Sequence, residues 1–154
     1  MSKPKLTVIE GGLSSSIEKR NKYFVSAYVT DTRLMGVLSI YARWKISDTE
    51  PDSDLHQFFY IDCEEAGLET YKSIIGNDFE KLNYIEQALI GGLGAKKISL
   101  SERHLRGLIT YYKRFNQIHS LPLPPNYGEY GFITEPETTL TSDEMKALMN
   151  EICS

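Results

Sequence analysis

Residues Leu34–Ile46 read LMGVLSIYARWKI, and this stretch decides the fold. Every second residue from Leu38 to Ile46 is apolar, and polar or amphipathic residues stand between them. Successive side chains of a strand leave opposite faces of a sheet, so a period of two predicts a half-buried strand. The apolar residues near Leu34 also fit a helical stripe, but the aromatic and β-branched content, together with Gly36, favours a strand.

Two further apolar runs flank this stretch, at Tyr23–Thr30 and Leu55–Cys63. Short polar segments separate the three runs, and the second of these segments contains Pro51. Such segments are typical of loops between strands. The run Leu55–Cys63 has apolar side chains on both faces, which indicates a central strand. We therefore predict an antiparallel meander over about residues 23–63, with a further strand at 97–100.

After residue 63 the apolar period changes from two to about 3.6, which is typical of amphipathic helices. Four helices are predicted, and Thr141 with Glu144 forms a capping box at the start of the last one. The segment Tyr127–Ile133 is predicted to be a loop or an edge strand. The predicted fold class is thus α+β, with a three- to four-stranded meander packed against about four helices. The apolar stripes of the four helices consist of Leu68, Tyr71 and Ile75; of Leu82, Ile85 and Leu89; of Leu105, Leu108, Ile109, Tyr112 and Phe115; and of Met145, Leu148, Met149 and Ile152.

The length of 154 residues fits one domain, which we place at residues 23–154. Residues 1–22 are predicted to be a flexible N-terminal segment, because glycines and serines follow one another at positions 11–16. No apolar run approaches the roughly 20 residues that span a bilayer, so no membrane contact is expected. The two cysteines, Cys63 and Cys153, do not form a disulfide framework, which favours the cytoplasm.

The predicted helix over residues 102–119 is the most basic surface of the chain. No acidic residue follows Glu102 in this helix, and a basic amphipathic helix can bind phosphate groups, nucleic acid or an acidic partner. A solvated face that offsets neighbouring acids accounts for the pattern equally well. The formal net charge of −4 disfavours a general nucleic-acid binder. The candidate binding residues are Arg103, His104, Arg106, Lys113 and Arg114.

A second candidate is the acidic cluster of Asp62, Glu64 and Glu65 at the end of the third strand. Carboxylates of this kind, with an imidazole from His56 or His104, can perform acid–base chemistry if they converge. Acidic residues in the first turn of a helix are also favourable through the helix dipole, which is the simpler interpretation. No residue is assigned a catalytic role.

No cofactor or metal is predicted. The acidic loop at 48–54 starts like a calcium loop, but Ser53 and Phe59 stand where that loop needs glycine and glutamate. The aromatic sheet residues are of the type enriched in interface cores. The leading hypothesis is therefore a non-enzymatic binding or regulatory module that acts through protein contacts or self-association. The alternatives are nucleic-acid or phosphate binding through residues 102–119, and a small acid–base enzyme.

Overall fold

The computed structural model describes residues 21–30, 36–46, 54–76, 78–89 and 96–152. Within these ranges the chain forms five β-strands and four α-helices, and a 3-10 helix at Gly131–Thr134 follows the third α-helix. The predicted α+β class is confirmed. The elements are β1 Lys22–Thr30, β2 Val37–Ile46, β3 Leu55–Asp62, β4 Gly67–Ile75, α1 Phe79–Leu89, β5 Lys97–Ser99, α2 Glu102–Ile118, α3 Tyr127–Tyr130 and α4 Ser142–Ile152.

The five strands form one antiparallel sheet in the order β4-β3-β2-β1-β5. Strands β1 to β4 form a meander, and β5 returns to pair with the outer side of β1. The predicted meander over residues 23–63 is therefore extended by β4 on one side and by β5 on the other. Strand β3 is buried on both faces from Leu55 to Phe59, as expected for a covered central strand.

One face of the sheet, which we call the first face, carries the alternating apolar residues of β2 from Leu38 to Ile46. It packs against α2, the 3-10 helix and α4, whose buried residues include Leu105, Ile133 and Leu148. The side chain of Trp44 is fully buried there and meets the ring of Phe132 edge-on at 4.8 Å. The alternation read from the sequence is thus the pattern that directs β2 onto the helical layer.

The prediction of a helix at Leu68–Tyr71–Ile75 is wrong, because these residues belong to β4. Strand β4 contains a β-bulge: Leu68 pairs with Ile61 and Thr70 with Tyr60, which leaves Glu69 as an extra residue. A bulge shifts the alternation by one position. Leu68 and Tyr71 are therefore both buried in the core although they are three positions apart, a spacing that imitates a helix.

A second bulge corrects the predicted face of β1. The pairing shifts between Phe24 and Ser26, so Val25 is the extra residue. Phe24 then packs against Trp44 on the first face, whereas Tyr23 and Val25 are 55% and 47% exposed. Strict alternation along the run Tyr23–Thr30 predicts that Tyr23, Val25, Ala27 and Val29 share a face, but because of the bulge only Ala27 and Val29 are buried.

The segment Tyr127–Ile133 is neither a loop nor an edge strand but α3 followed by the 3-10 helix. Tyr130 is buried, and its hydroxyl donates to the carbonyl of Pro124. Helices of one turn are too short to show a 3.6-residue period, which is why the sequence pattern did not indicate them.

The capping box of α4 is confirmed. The backbone N–H of Glu144 donates to the Thr141 hydroxyl at 3.0 Å, and the Glu144 carboxylate accepts from the backbone N–H of Thr141 at 2.9 Å. The predicted flexible segment lies outside the described residues up to position 20, and Lys22 already belongs to β1. Most of the acidic loop, 48–53, also lies outside them. In the described part of the chain, no helix is long and apolar enough to cross a bilayer.

Candidate functional site

The opposite, second face of the sheet is crossed by α1, which contacts β3 and β4. None of the α1 side chains described, 79–88, is buried, so this helix covers the sheet loosely. A cleft of about 240 Å³ lies between the helix and the strands. We call it the aromatic cleft. It is lined by Tyr28, Tyr41, Phe58, Phe79, Leu82, Asn83 and Glu86.

Cross-strand pairing builds the sheet side of the aromatic cleft. Tyr28 of β1 stands opposite Tyr41 of β2, and Tyr41 stands opposite Phe58 of β3. The Tyr28 and Tyr41 rings stack with centroids 5.0 Å apart, and the Tyr41 and Phe58 rings are 5.2 Å apart. Directly opposed residues lie close enough for such ring contacts. Phe79, 70% exposed at the start of α1, lies at the rim.

Glu86 is the acidic group of the aromatic cleft. The Tyr28 hydroxyl donates to Glu86 Oε2 at 2.5 Å, and Lys97 Nζ donates to the same oxygen at 2.9 Å. Burial raises the pKa of Tyr28 well above its ordinary value, and the bond to Glu86 raises it further. Burial would raise the pKa of Glu86, but the hydrogen bonds from Tyr28 and Lys97 lower it below its ordinary value. Glu86 is therefore ionised at neutral pH.

His56 lies beside the cleft wall, on the same face of the sheet. Its Nδ1 is 2.7 Å from the Tyr41 hydroxyl, and the side chain is buried. Burial raises the pKa of Tyr41 to about 12, so this hydroxyl stays neutral at physiological pH. Next to it, Arg43 Nε donates to the buried Asp54 carboxylate at 2.7 Å. The His56 ring also stacks on the Tyr41 ring, with centroids 5.9 Å apart, and so supports it.

The basic residues predicted on residues 102–119 contact groups of the same chain. Their contacts join α2 to the segment that follows it. Arg103 makes two hydrogen bonds of 2.8 Å to one carboxylate, an arrangement that fixes both partners. The partners are Glu144 for Arg103, Glu102 for Arg106, Tyr127 and Thr134 for Lys113, and Glu137 for Arg114.

Arg106 is partly buried, with its side chain 20% exposed. Its NH1 group donates to the carbonyls of Phe132 and Ile133, and its guanidinium lies 5.3 Å from the Trp44 ring centroid. His104, in the first turn of α2, is half-buried, and its backbone N–H donates to the hydroxyl of the N-cap residue Ser101. The structure thus uses this face of α2 to dock the C-terminal part of the chain.

The acidic cluster lies in the tight turn between β3 and β4 rather than at the start of a helix. Asp62 Oδ1 accepts from the backbone N–H groups of Glu64 and Glu65, each at 3.0 Å. The helix-dipole interpretation of these acids is therefore wrong. Asp62 instead satisfies the backbone of the turn, as aspartate commonly does.

His56 is brought close neither to Asp62 nor to His104. His56 precedes Asp62 by six residues in one strand, which separates them by about 20 Å. His56 faces the second side of the sheet, where it meets Tyr41, whereas α2 with His104 packs on the first. Within the described ranges, no three His, Cys, Asp or Glu side chains converge as a metal site.

The sequence patterns did not indicate the aromatic cleft. Tyr28, Tyr41 and Phe58 occupy strand positions that face away from the helical layer, where a solvated face would carry polar residues. Large rings at such positions are the signal that could have indicated a second covered face. No protein-family model, curated protein or solved structure matches this chain. The fold and the cleft define a five-stranded antiparallel α+β domain with an aromatic cleft beside α1.

Proposed function

We propose that this protein is a non-enzymatic, regulatory protein-binding module that takes one side chain of a partner into the aromatic cleft. The observation that carries the proposal is the cleft itself: four aromatic rings and one carboxylate gathered between the sheet and a helix that has no buried side chain among those described. Its volume of about 240 Å³ falls below the roughly 300–1,000 Å³ of sites that hold drug-sized ligands. A single side chain suits such a space better than a cofactor does.

The outer surface of α1 supports a protein partner. Phe79 and Tyr84 are 70% and 76% exposed, and they lie on the helix that borders the cleft. Aromatic side chains are enriched where protein interfaces are most deeply buried. A partner segment lying along α1 would cover both rings while its side chain enters the cleft.

The cysteine usage of the sequence supports a cytoplasmic location for this module. The alternative of phosphate or nucleic-acid binding through α2 is disfavoured by the contacts that its cations make within the chain. Salt-sensitive binding of a nucleic acid that is lost in Arg103→Glu with Arg106→Glu would instead support that alternative. Self-association through the aromatic cleft is a further alternative, and a concentration-dependent mass in light scattering would support it.

The test is a peptide selection against the whole purified chain. Peptides enriched from a random display library should bind the native protein and lose at least about tenfold in affinity, or about 1.4 kcal/mol, on the variant Phe79→Ser with Asn83→Arg. Serine removes the rim ring, and arginine fills the cleft. Both positions are exposed, so the variant should fold.

The matched control is Lys81→Ser, at an exposed position of the same helix that does not line the cleft. We expect it to weaken binding far less than the cleft variant does. Failure to enrich any peptide, or equal binding to the native protein and to the cleft variant, would overturn the proposal.

A further inference from the structure

We propose that the side chain which the aromatic cleft takes from a partner is a lysine, bound through its ammonium group. This inference rests on the proposed function, because it specifies the chemistry of the group that the cleft holds. It is supported by the arrangement of the rings, by the charge of the lining and by a contact that the chain makes with its own Lys97.

Four aromatic rings line one small volume. Tyr28, Tyr41 and Phe58 form a continuous wall with centroid separations of 5.0 and 5.2 Å, and Phe79 approaches from α1. An aromatic face carries negative electrostatic potential and attracts an ammonium group, as the position of Lys97 over the Tyr28 ring shows within this chain. An uncharged aliphatic group would gain only the apolar contact.

The charge of the lining favours a cation. Glu86 is the one charged side chain among the described residues that line the cleft, and it is acidic. Both of its hydrogen bonds, from Tyr28 and from Lys97, end on Oε2. Within the described part of the chain, Oε1 accepts no hydrogen bond. An incoming ammonium would therefore find an ionised acceptor oxygen beside the rings.

Lys97 already shows this chemistry within the chain. Its ammonium lies 2.9 Å from Glu86 Oε2 and 4.8 Å from the centroid of the Tyr28 ring. The Lys97 side chain is 51% exposed, and Lys97 is not one of the residues that line the cleft. It thus acts as an internal cation that a partner lysine would displace or join at the same carboxylate.

The test uses choline and its uncharged carbon isostere, dimethylbutanol, as probes of the full-length protein. The two molecules differ in the charge of one atom, so their difference in affinity isolates the charge. Titration followed by amide chemical shifts should show saturable changes in β1, β2 and α1 with choline. We expect dimethylbutanol to bind at least about fivefold more weakly, the ratio that about 1 kcal/mol of cation–ring interaction produces.

Two variants separate recognition of a cation from mere support of the fold. Glu86→Gln keeps the shape but removes the charge, and it should weaken choline binding about fivefold to tenfold. Lys97→Ala breaks the same ion pair but leaves the carboxylate, and it should strengthen choline binding. Equal weakening in both variants would mean that the ion pair only holds α1 in place, and it would overturn the inference.

Two further results would overturn the lysine assignment but leave the proposed protein-binding function in place. If choline does not bind, or if both probes bind equally, while selected peptides still require Phe79 and Asn83, the cleft binds partners through apolar contact. If selected peptides bind through a lysine, replacing that lysine with norleucine should remove most of the affinity. Retention of affinity by the norleucine peptide would also contradict the lysine assignment.

Discussion

Lys97 Nζ and Glu86 Oε2 lie 2.9 Å apart, and this ion pair joins the shortest strand of the sheet to the helix that covers the second face. The Tyr28 hydroxyl donates to the same carboxylate oxygen, so β1, β5 and α1 meet at one atom. Because no described side chain of α1 is buried, such polar contacts carry an unusual share of its attachment.

The first prediction concerns this attachment. In Lys97→Ala, we expect the amide protons of α1 to exchange faster, while those of β2 and β3 keep their rates. The free energy of unfolding should fall by less than about 1 kcal/mol, because both partners of the pair are partly exposed. Hydrogen exchange followed by NMR measures this. Lys72→Ala, on the opposite edge strand, is the control. If this variant increased the exchange of the α1 amide protons as much as Lys97→Ala does, the prediction would be contradicted.

The second prediction concerns two buried threonines that differ in their hydrogen bonds. The Thr110 hydroxyl has no partner in the described part of the chain, whereas the Thr134 hydroxyl donates to the Gly131 carbonyl and accepts from Lys113. Thr110→Val should therefore stabilise the fold by about 1 kcal/mol, since an unsatisfied buried hydroxyl is removed. Thr134→Val should destabilise it by about 1–3 kcal/mol. Urea unfolding measures both, and changes of the same sign would refute the assignment.

The third prediction concerns Gly67, at the start of β4, where φ is +65°. A Cβ there would overlap with Asn116 Oδ1 and the Phe115 ring. That Asn116 amide accepts from the Leu68 backbone N–H at 2.9 Å and donates to the Leu68 carbonyl at 3.0 Å, which closes the start of this edge strand. Gly67→Ala should lower the free energy of unfolding by about 2–5 kcal/mol.

The control for Gly67 is Gly76→Ala. Gly76 also has a positive φ, of +110°, but a Cβ there would meet nothing within 4 Å. Gly76→Ala should therefore lower the free energy of unfolding only by the cost of a left-handed backbone at alanine, about 1–2 kcal/mol. Thermal or urea unfolding of both variants gives the difference, and equal losses would show that the clash with Asn116 is absent.

The fourth prediction concerns the buried polar network that links α3 to the sheet. The Tyr71 hydroxyl donates to Glu129 Oε1 at 2.8 Å and accepts from Gln57 at 3.1 Å. Tyr71→Phe leaves both of these buried groups one bond short, so we expect a loss of about 1–3 kcal/mol. Tyr60→Phe is the control, because within the described residues its hydroxyl makes no hydrogen bond. Urea unfolding should show a change there within about 0.5 kcal/mol.

The fifth prediction concerns the pH dependence of the stability that Glu144 contributes. Hydrogen bonds from Arg103 and from the Thr141 backbone lower the pKa of Glu144 to about 2, from 4.5. A lowered pKa in the folded state contributes stability that is fully present above 4.5 and is lost as the pH falls to about 2. Glu144→Gln should therefore have a lower Tm than the native protein at neutral pH, and the gap should close below pH 4.5. Glu65→Gln, at an exposed turn position, should show no such gap in calorimetry.

Local patterns were sufficient for much of the fold. Alternation over Leu38–Ile46 predicted β2, and helical stripes with caps predicted α2 and α4, because in these elements each side chain meets the environment that its backbone period implies. Strand β4 was missed for a local reason that is visible only after pairing. The bulge at Glu69 moves Leu68 and Tyr71 to one face, and no single-strand pattern distinguishes that spacing from a helix.

The candidate site depended on contacts between segments far apart in sequence. The acids that partner Arg103 and Arg114 belong to segments that fold back onto α2, so a face that appears purely basic in the sequence is largely neutralised in the structure. The aromatic cleft likewise needs Glu86 to reach Tyr28, a partner 58 positions away.

The sequence by itself determined the α+β class, the meander of β1 to β3 and the capped helices, since these follow from periodicity and from bonds within a few residues. Only the tertiary structure decided the fourth strand, the pairing of the predicted fifth strand with β1, the neutralisation of α2 and the aromatic cleft. Their physical cause is the pairing of side chains from distant segments, and neither the partners nor the register of such pairs can be read from either segment alone.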